Sequence, residues 1–63
     1  MNSSGYISDD GKRTAEVKLV TVPMVEFYEN GKLIKTITYN HHNLQYAEDA
    51  AENYVMGIFK IDE

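Results

Sequence analysis

The clearest alternation of apolar and polar positions spans residues 24–39, MVEFYENGKLIKTITY. Two alternating runs flank Asn30-Gly31, and this dipeptide is the preferred centre of a two-residue type I′ turn because both of its positions need positive φ. The pattern predicts a β-hairpin. With this loop and a regular register, the expected opposite pairs are Glu29/Lys32, Tyr28/Leu33, Phe27/Ile34, Glu26/Lys35, Val25/Thr36 and Met24/Ile37.

The two faces of the predicted hairpin differ in the side chains that they carry. Phe27, Ile34 and Val25 share one face, which we assign to the core. The other face is more apolar than a solvated surface needs, and a single helix covers only one side of a small sheet. We therefore predict a protein interface on this second face, made of Met24, Tyr28, Leu33, Lys35 and Ile37, with Val20 and Val22 as further candidates.

Upstream of the hairpin, residues 14–22, TAEVKLVTV, are rich in β-branched side chains and predict a strand. Pro23 ends or bends this strand, because proline cannot donate to a central ladder. Further upstream, Asp10-Gly11 is either the turn of a second, short hairpin or part of a solvated loop. We expect residues 1–12 to be a partly flexible N-terminal segment.

Downstream of the hairpin, the apolar period changes to three and four residues, which predicts one amphipathic helix over about residues 43–59. Asn43 is the favoured N-cap, immediately before the periodic residues begin. Gly57 has two explanations, either a helix that loosens near its end or close packing at a surface of small residues. The expected buried stripe consists of Leu44, Ala47, Ala51, Tyr54, Val55 and Ile58.

Together these elements predict an α+β fold, with a small antiparallel sheet of about three strands and one C-terminal helix packed on one face. The 63 residues suit a single domain, 1–63. A chain this short buries only about 60% of its unfolded surface, so small domains commonly rely on disulfides, a metal or a partner. Cysteine is absent from the sequence, which excludes disulfides and thiolate chemistry.

Charge and hydropathy narrow the function classes. The net charge of −4 and the pI near 5.0 argue against general binding to nucleic acid or to anionic membranes. The N-terminus lacks the apolar region of a signal peptide, and no run approaches the ~20 apolar residues of a transmembrane helix. We expect a cytoplasmic protein without membrane association.

Two groups of residues are candidates for metal binding or catalysis. The pair His41-His42 is badly placed for chelation, because adjacent side chains diverge and a structural zinc site needs four ligands. Glu48, Asp49 and Glu52 have the residue type of acid–base catalysts, but an isolated acidic helix face is more often solvated surface. Phosphate-binding glycine motifs do not occur in the sequence. We expect no enzyme activity, no metal and no cofactor, and interpret these carboxylates as an exposed acidic helix face.

The order of short strands followed by an alanine-containing helix, over residues 25–59, resembles antitoxin domains of the HicB kind, which pair a three-stranded sheet with such a helix. The resemblance rests on this order of elements and assigns no role to any residue. It implies an antitoxin-like protein.

Two functional hypotheses follow from the sequence. The preferred one is a non-enzymatic interaction module, a homodimer or a binder of another protein through the second sheet face. Its acidic helix would engage a basic surface, as expected of a phage-type inhibitor of a host or defence factor, an antitoxin or an adaptor. The alternative is a single-stranded nucleic-acid binder, using the sheet tyrosines Tyr28 and Tyr39 with Lys18, Lys32 and Lys35.

Overall fold

A computed structural model describes the backbone of residues 2–61 and the side chains of residues 4–61. It confirms the α+β fold, an antiparallel sheet followed by a C-terminal helix that packs against it. The sheet has four strands in the order β1-β2-β3-β4, against about three expected. The elements are β1 (Asn2–Ile7), β2 (Arg13–Leu19), β3 (Pro23–Glu29), β4 (Lys32–Thr38) and α1 (Leu44–Val55).

The additional strand, β1, comes from the segment that was expected to be partly flexible. It pairs with β2 along its length, and Tyr6 lies opposite Ala15. This is the register expected for a hairpin closed by Asp10-Gly11, so the hairpin is the correct alternative there. Met1, the first residue of the segment, lies outside the described residues.

The turn between β1 and β2 is held by the side chains of Ser8 and Asp10. The buried Ser8 hydroxyl accepts from the Arg13 backbone N–H at 3.0 Å and donates to the Asp10 carboxylate at 2.6 Å. Asp10 also accepts from the Lys12 N–H at 3.0 Å. These bonds lower the pKa of Asp10, because they favour its charged form, and the bond from Ser8 has the largest effect.

The central hairpin forms with the predicted turn but not with a regular register. Asn30 and Gly31 have φ values of 55° and 80°, as a two-residue turn of this kind requires. The register then shifts by one residue between Tyr28 and Phe27, so that Tyr28 pairs with Leu33 and Phe27 with Lys35. Ile34 is left over as a β-bulge.

The bulge explains how β4 contributes to the core. In a regular strand, residues 34 and 37 lie three positions apart and face opposite sides. With the extra residue at position 34, Ile37 pairs with Val25, and both Ile34 and Ile37 pack against the core cluster. The predicted pairs Phe27/Ile34, Glu26/Lys35, Val25/Thr36 and Met24/Ile37 are therefore wrong.

Both ends of α1 are set by local hydrogen bonds. Asn43 is the N-cap, as predicted, and its side chain accepts from the Tyr46 N–H at 3.0 Å. At the other end, Gly57 has a φ of 85° and Ile58 donates to the Asn53 carbonyl at 2.9 Å, the bonding of a glycine-terminated helix. The helix thus ends at Val55 and not near residue 59.

The core lies between the sheet and α1, on what we call the covered face. Ile58, which is 67% exposed, does not extend the buried helix stripe, and Phe59 packs against the cluster in its place. The aromatic centre of the core is Phe27, whose ring meets Tyr54 edge-on at 5.0 Å and Phe59 edge-on at 5.8 Å between ring centroids. The fully or nearly buried apolar residues are Ala15, Val17, Val25, Phe27, Ala47, Ala51, Tyr54 and Val55.

The helix covers the sheet unevenly. It packs over β1, β2 and β3, and within the described residues it makes no comparable contact with β4. Two hydrogen bonds fix it from the sides: Tyr6 of β1 donates to Glu48, and Tyr54 donates to the Tyr28 carbonyl at 2.9 Å. Across residues 2–61, no helix is both long enough and apolar enough to cross a bilayer.

Candidate protein-binding surfaces

The side of the sheet opposite α1, which we call the open face, carries an apolar row across all four strands. The residues of this row lie directly opposite one another on neighbouring strands. Ile7 and Leu33, at its two ends, are 66% and 48% exposed. The row consists of Ile7, Thr14, Tyr28 and Leu33, and no element among the described residues packs over it.

A cluster of charges occupies the centre of the open face. Glu16 and Glu26 are cross-strand neighbours, and Lys18 compensates their repulsion because its Nζ lies 3.1 Å from Glu26 and 4.0 Å from Glu16. The Tyr28 hydroxyl donates a hydrogen bond to Glu26 at 3.1 Å. The bond to Glu26 raises the pKa of both Lys18 and Tyr28, because it stabilises their protonated forms.

A shallow hollow lies beside the apolar row, above Gly5 of β1. Its volume is about 340 Å³, and Ile7, Glu16 and Tyr28 are among its lining residues. A Cβ atom at Gly5 would meet no atom within 4 Å, so the missing side chain opens the surface here. The open face is therefore recessed at Gly5.

The structure divides the predicted interface residues between the two faces. Tyr28 and Leu33 lie in the apolar row, and the half-buried Met24, which pairs with Lys18, shares the open face with them. Ile37 lies opposite Val25 on the covered face, and the exposed Lys35 pairs with Phe27. The placement of Lys35 and Ile37 on the second face is therefore wrong, and the bulge at Ile34 is the reason.

Ile7 joins the open face from residues 1–12, the segment that the sequence predicts to be partly flexible. The available signal in the sequence is the apolar pair Tyr6-Ile7 before the Asp10-Gly11 turn. Val20, considered as a further interface residue, is 69% exposed in the turn between β2 and β3, outside the strands that form the face.

The acidic face of α1 is exposed in part. Asp49 and Glu52 are exposed, and Asp49 accepts a hydrogen bond from the Gln45 side chain at 3.0 Å. Glu48 is half-buried and accepts a hydrogen bond from the Tyr6 hydroxyl. This bond is the main cause that raises the pKa of Tyr6 to about 12, with burial and the charges of α1 adding to it. Glu48 therefore links β1 to the helix, and the other two carboxylates remain available.

The histidine pair lies at an aromatic corner between β4 and α1. His41 and His42 are both exposed, and the His42 ring stacks on Tyr46 with centroids 3.8 Å apart and an interplanar angle of 11°. Tyr39 meets Tyr46 edge-on at 5.3 Å. Burial raises the pKa of Tyr39, and the neighbouring Tyr46 adds to this. Within residues 2–61, no three histidine, aspartate or glutamate side chains are grouped as metal ligands would be.

A second concave surface, which we call the α1–β4 groove, results from the uneven placement of the helix. Its volume is about 440 Å³. Sequence reasoning missed it, because it depends on how far α1 lies from β4 and on the return of Phe59 after the helix ends. The groove is lined by Ile37, Tyr39, Tyr46, Asp49, Ala50, Asn53 and Phe59.

Arg13 is a third feature that the sequence did not single out. Its Nε is buried without a hydrogen-bond partner among the described residues. The guanidinium lies at the end of α1, where a Cβ on Gly57 would come within 3.2 Å of Nη2. Exposed carbonyls at a helix C-terminus favour positive charge, so the Arg13 guanidinium lies at an electrostatically favourable place.

Comparisons of the chain with models of known protein families, with curated proteins and with solved structures found no match. The assignment of these surfaces therefore rests on their geometry and chemistry.

Proposed function

We propose that the protein is a non-enzymatic interaction module that forms a homodimer through its open face. The exposed acidic residues of its helix then bind a second protein, as those of a small inhibitor, adaptor or antitoxin would. The observation that carries the proposal is the apolar row of Ile7, Thr14, Tyr28 and Leu33, which crosses the whole sheet without a covering element.

The composition of the open face supports burial against a protein. The apolar row supplies aromatic and aliphatic side chains of the kind that protein interfaces bury. The charges at the centre compensate one another except for one surplus carboxylate, since Lys18 serves both Glu16 and Glu26. Burying an already paired charge costs less than burying an isolated one.

The size of the face sets the expected strength of the dimer. Neighbouring strands lie about 4.8 Å apart and rise about 3.3 Å per residue, so the four strands give this sheet a face of roughly 400 Å². Two such faces come to roughly 800 Å², below the ~1,000 Å² expected of a stable complex. We therefore expect a weak, concentration-dependent dimer rather than an obligate one.

The structure gives less support to single-stranded nucleic-acid binding. Lys18 is engaged by Glu26, and Tyr28, the tyrosine of the open face, is hydrogen-bonded to the same carboxylate. A phosphate backbone would have to displace Glu26 or lie beside it. Tyr39 contacts Tyr46 on the other side of the sheet, away from this cluster.

The proposal is tested by Leu33→Asp, with Ile58→Asp as the matched control. Both positions are exposed, and Ile58 lies after α1, away from the open face. We expect Leu33→Asp to stay folded and to remain monomeric, while wild type and Ile58→Asp associate with increasing concentration. Native mass is measured by light scattering after size exclusion over about two decades of concentration. A wild type that is monomeric throughout, or an equal loss in both variants, would overturn self-association through this face.

A further inference from the structure

The α1–β4 groove has a chemically divided lining. Ile37 and Ala50 supply apolar surface, and Tyr46 and Phe59 supply aromatic rings. The groove residues of α1 lie three and four positions apart, so they form one stripe along the helix. His42 stacks on the Tyr46 ring, and Tyr39 meets the same ring edge-on. These two contacts restrict the orientation of the Tyr46 ring.

A carboxylate lies in the wall of this groove. Asp49 is exposed and accepts a hydrogen bond from Gln45 at 3.0 Å. A carboxylate has about four acceptor positions, so Asp49 can accept further donors. Glu52, also exposed, adds negative charge on the same helix, and none of the groove-lining residues is a lysine or arginine.

This combination selects one class of occupant. An anion would meet the repulsion of Asp49 and of a chain with a net charge of −4. A wholly apolar group would bury Asp49 and Asn53 without offering them a hydrogen bond, which is costly. A cation with an apolar stem satisfies both parts, because its stem covers the aliphatic surface and its head reaches the carboxylate. The aromatic rings attract the same positive charge.

We propose that the α1–β4 groove binds an arginine side chain from a basic segment of a partner protein. Arginine suits it better than lysine, because a planar guanidinium stacks on aromatic rings and donates to a carboxylate through two N–H groups. The inference rests on the proposed protein-binding role and identifies the chemistry of the second partner. The groove lies on the covered side of the sheet, so its use is independent of the open face.

The test uses N-acetyl-arginine amide as the probe and N-acetyl-citrulline amide as its neutral isostere. Backbone amide shifts of the ¹⁵N-labelled full chain are followed by NMR during titration. We expect saturable shifts concentrated at Ile37, Tyr39, Asp49 and Asn53, with millimolar affinity for a ligand of this size. The citrulline compound should bind about threefold or more weakly, the usual effect of losing one exposed charge pair.

Two variants separate the groove from general charge effects. Asp49→Asn keeps the side-chain shape and should weaken arginine-amide binding by about threefold or more. Glu52→Gln removes the same charge outside the groove lining, and its affinity should stay close to that of wild type. Equal binding of the two probes, equal effects of the two variants, or shifts spread over the whole acidic surface would each overturn the proposal. Leu33→Asp should bind the probe like wild type, so failure of the dimer and failure of the groove are distinguishable.

Discussion

The two faces of the sheet are built from alternating residues of the same strands, yet they are stabilised differently. On the covered face, Phe27 and Val25 are fully buried, and their contacts are apolar and aromatic. On the open face, the neighbouring Tyr28 and Glu26 are half-buried and are joined to each other and to Lys18 by hydrogen bonds and an ion pair. We therefore expect the covered face to supply most of the folding free energy and the open face to tolerate substitution better.

Substitutions at two adjacent residues on opposite faces should show this difference in stability most strongly. Phe27→Ala should lower the free energy of unfolding by about 3–5 kcal/mol, because it removes a fully buried ring and leaves a cavity. Tyr28→Ala, one residue further on, should cost much less, because it removes only cross-strand contacts and the bond to Glu26 at a half-buried position and leaves no enclosed cavity. Urea denaturation followed by circular dichroism measures both. Similar losses for the two variants would show that the faces contribute equally.

The hydrogen bond between β1 and α1 gives an intermediate effect with a defined pH dependence. Tyr6→Phe removes the bond to Glu48 and should cost about 1 kcal/mol at neutral pH. The pKa of Tyr6 rises from 10.0 to about 12 on folding, so the folded chain keeps a proton that the unfolded chain loses first. The contribution is complete below pH 10 and is lost as the pH rises through about 12.

The measurement for Tyr6 compares urea unfolding of wild type and Tyr6→Phe from pH 7 to pH 12. The stability difference should be constant at first and should shrink towards the alkaline end. A difference that stays constant over the whole range would show that the Tyr6 hydroxyl does not hold its proton through Glu48.

The ion pairs of the open face should give the smallest effect on stability. Lys18→Gln leaves Glu16 and Glu26 opposite each other without a compensating charge, and we expect a loss of stability at low salt that is smaller than that of Tyr6→Phe. The loss should shrink in ~1 M salt, where the screening length falls to about 3 Å. Lys32→Gln is the control, since Lys32 is exposed and makes no ion pair within the described residues. A salt-independent loss at Lys18 would assign its effect to packing instead.

Features with a local cause could be predicted from the sequence. The Asn30-Gly31 turn and the Asn43 cap each depend on the conformational preference or side-chain reach of one or two residues. The assignment of Tyr28 and Leu33 to one face also follows, because both lie next to the turn, before the register shifts.

The rest depends on contacts between distant parts of the chain. The bulge at Ile34 allows Ile34 and Ile37 to reach the same core, but the residues of β4 themselves do not indicate a bulge. Strand β1 has little apolar character of its own and is held by β2 and Glu48. The α1–β4 groove likewise depends on where the helix lies, a position set by Tyr6, Tyr54 and the end of the helix at Gly57.

The bulge has a further consequence for how the sheet could grow. β4 and β1 are the two edge strands of the sheet. Strand addition at β4 is hindered, because the bulge distorts its unpaired backbone and exposed lysines place positive charge beside it. β1 pairs with β2 in unbroken register and carries no lysine or proline. Because only the β1 edge is unhindered, we expect any edge-to-edge pairing to stop at two copies and not to propagate into a fibre.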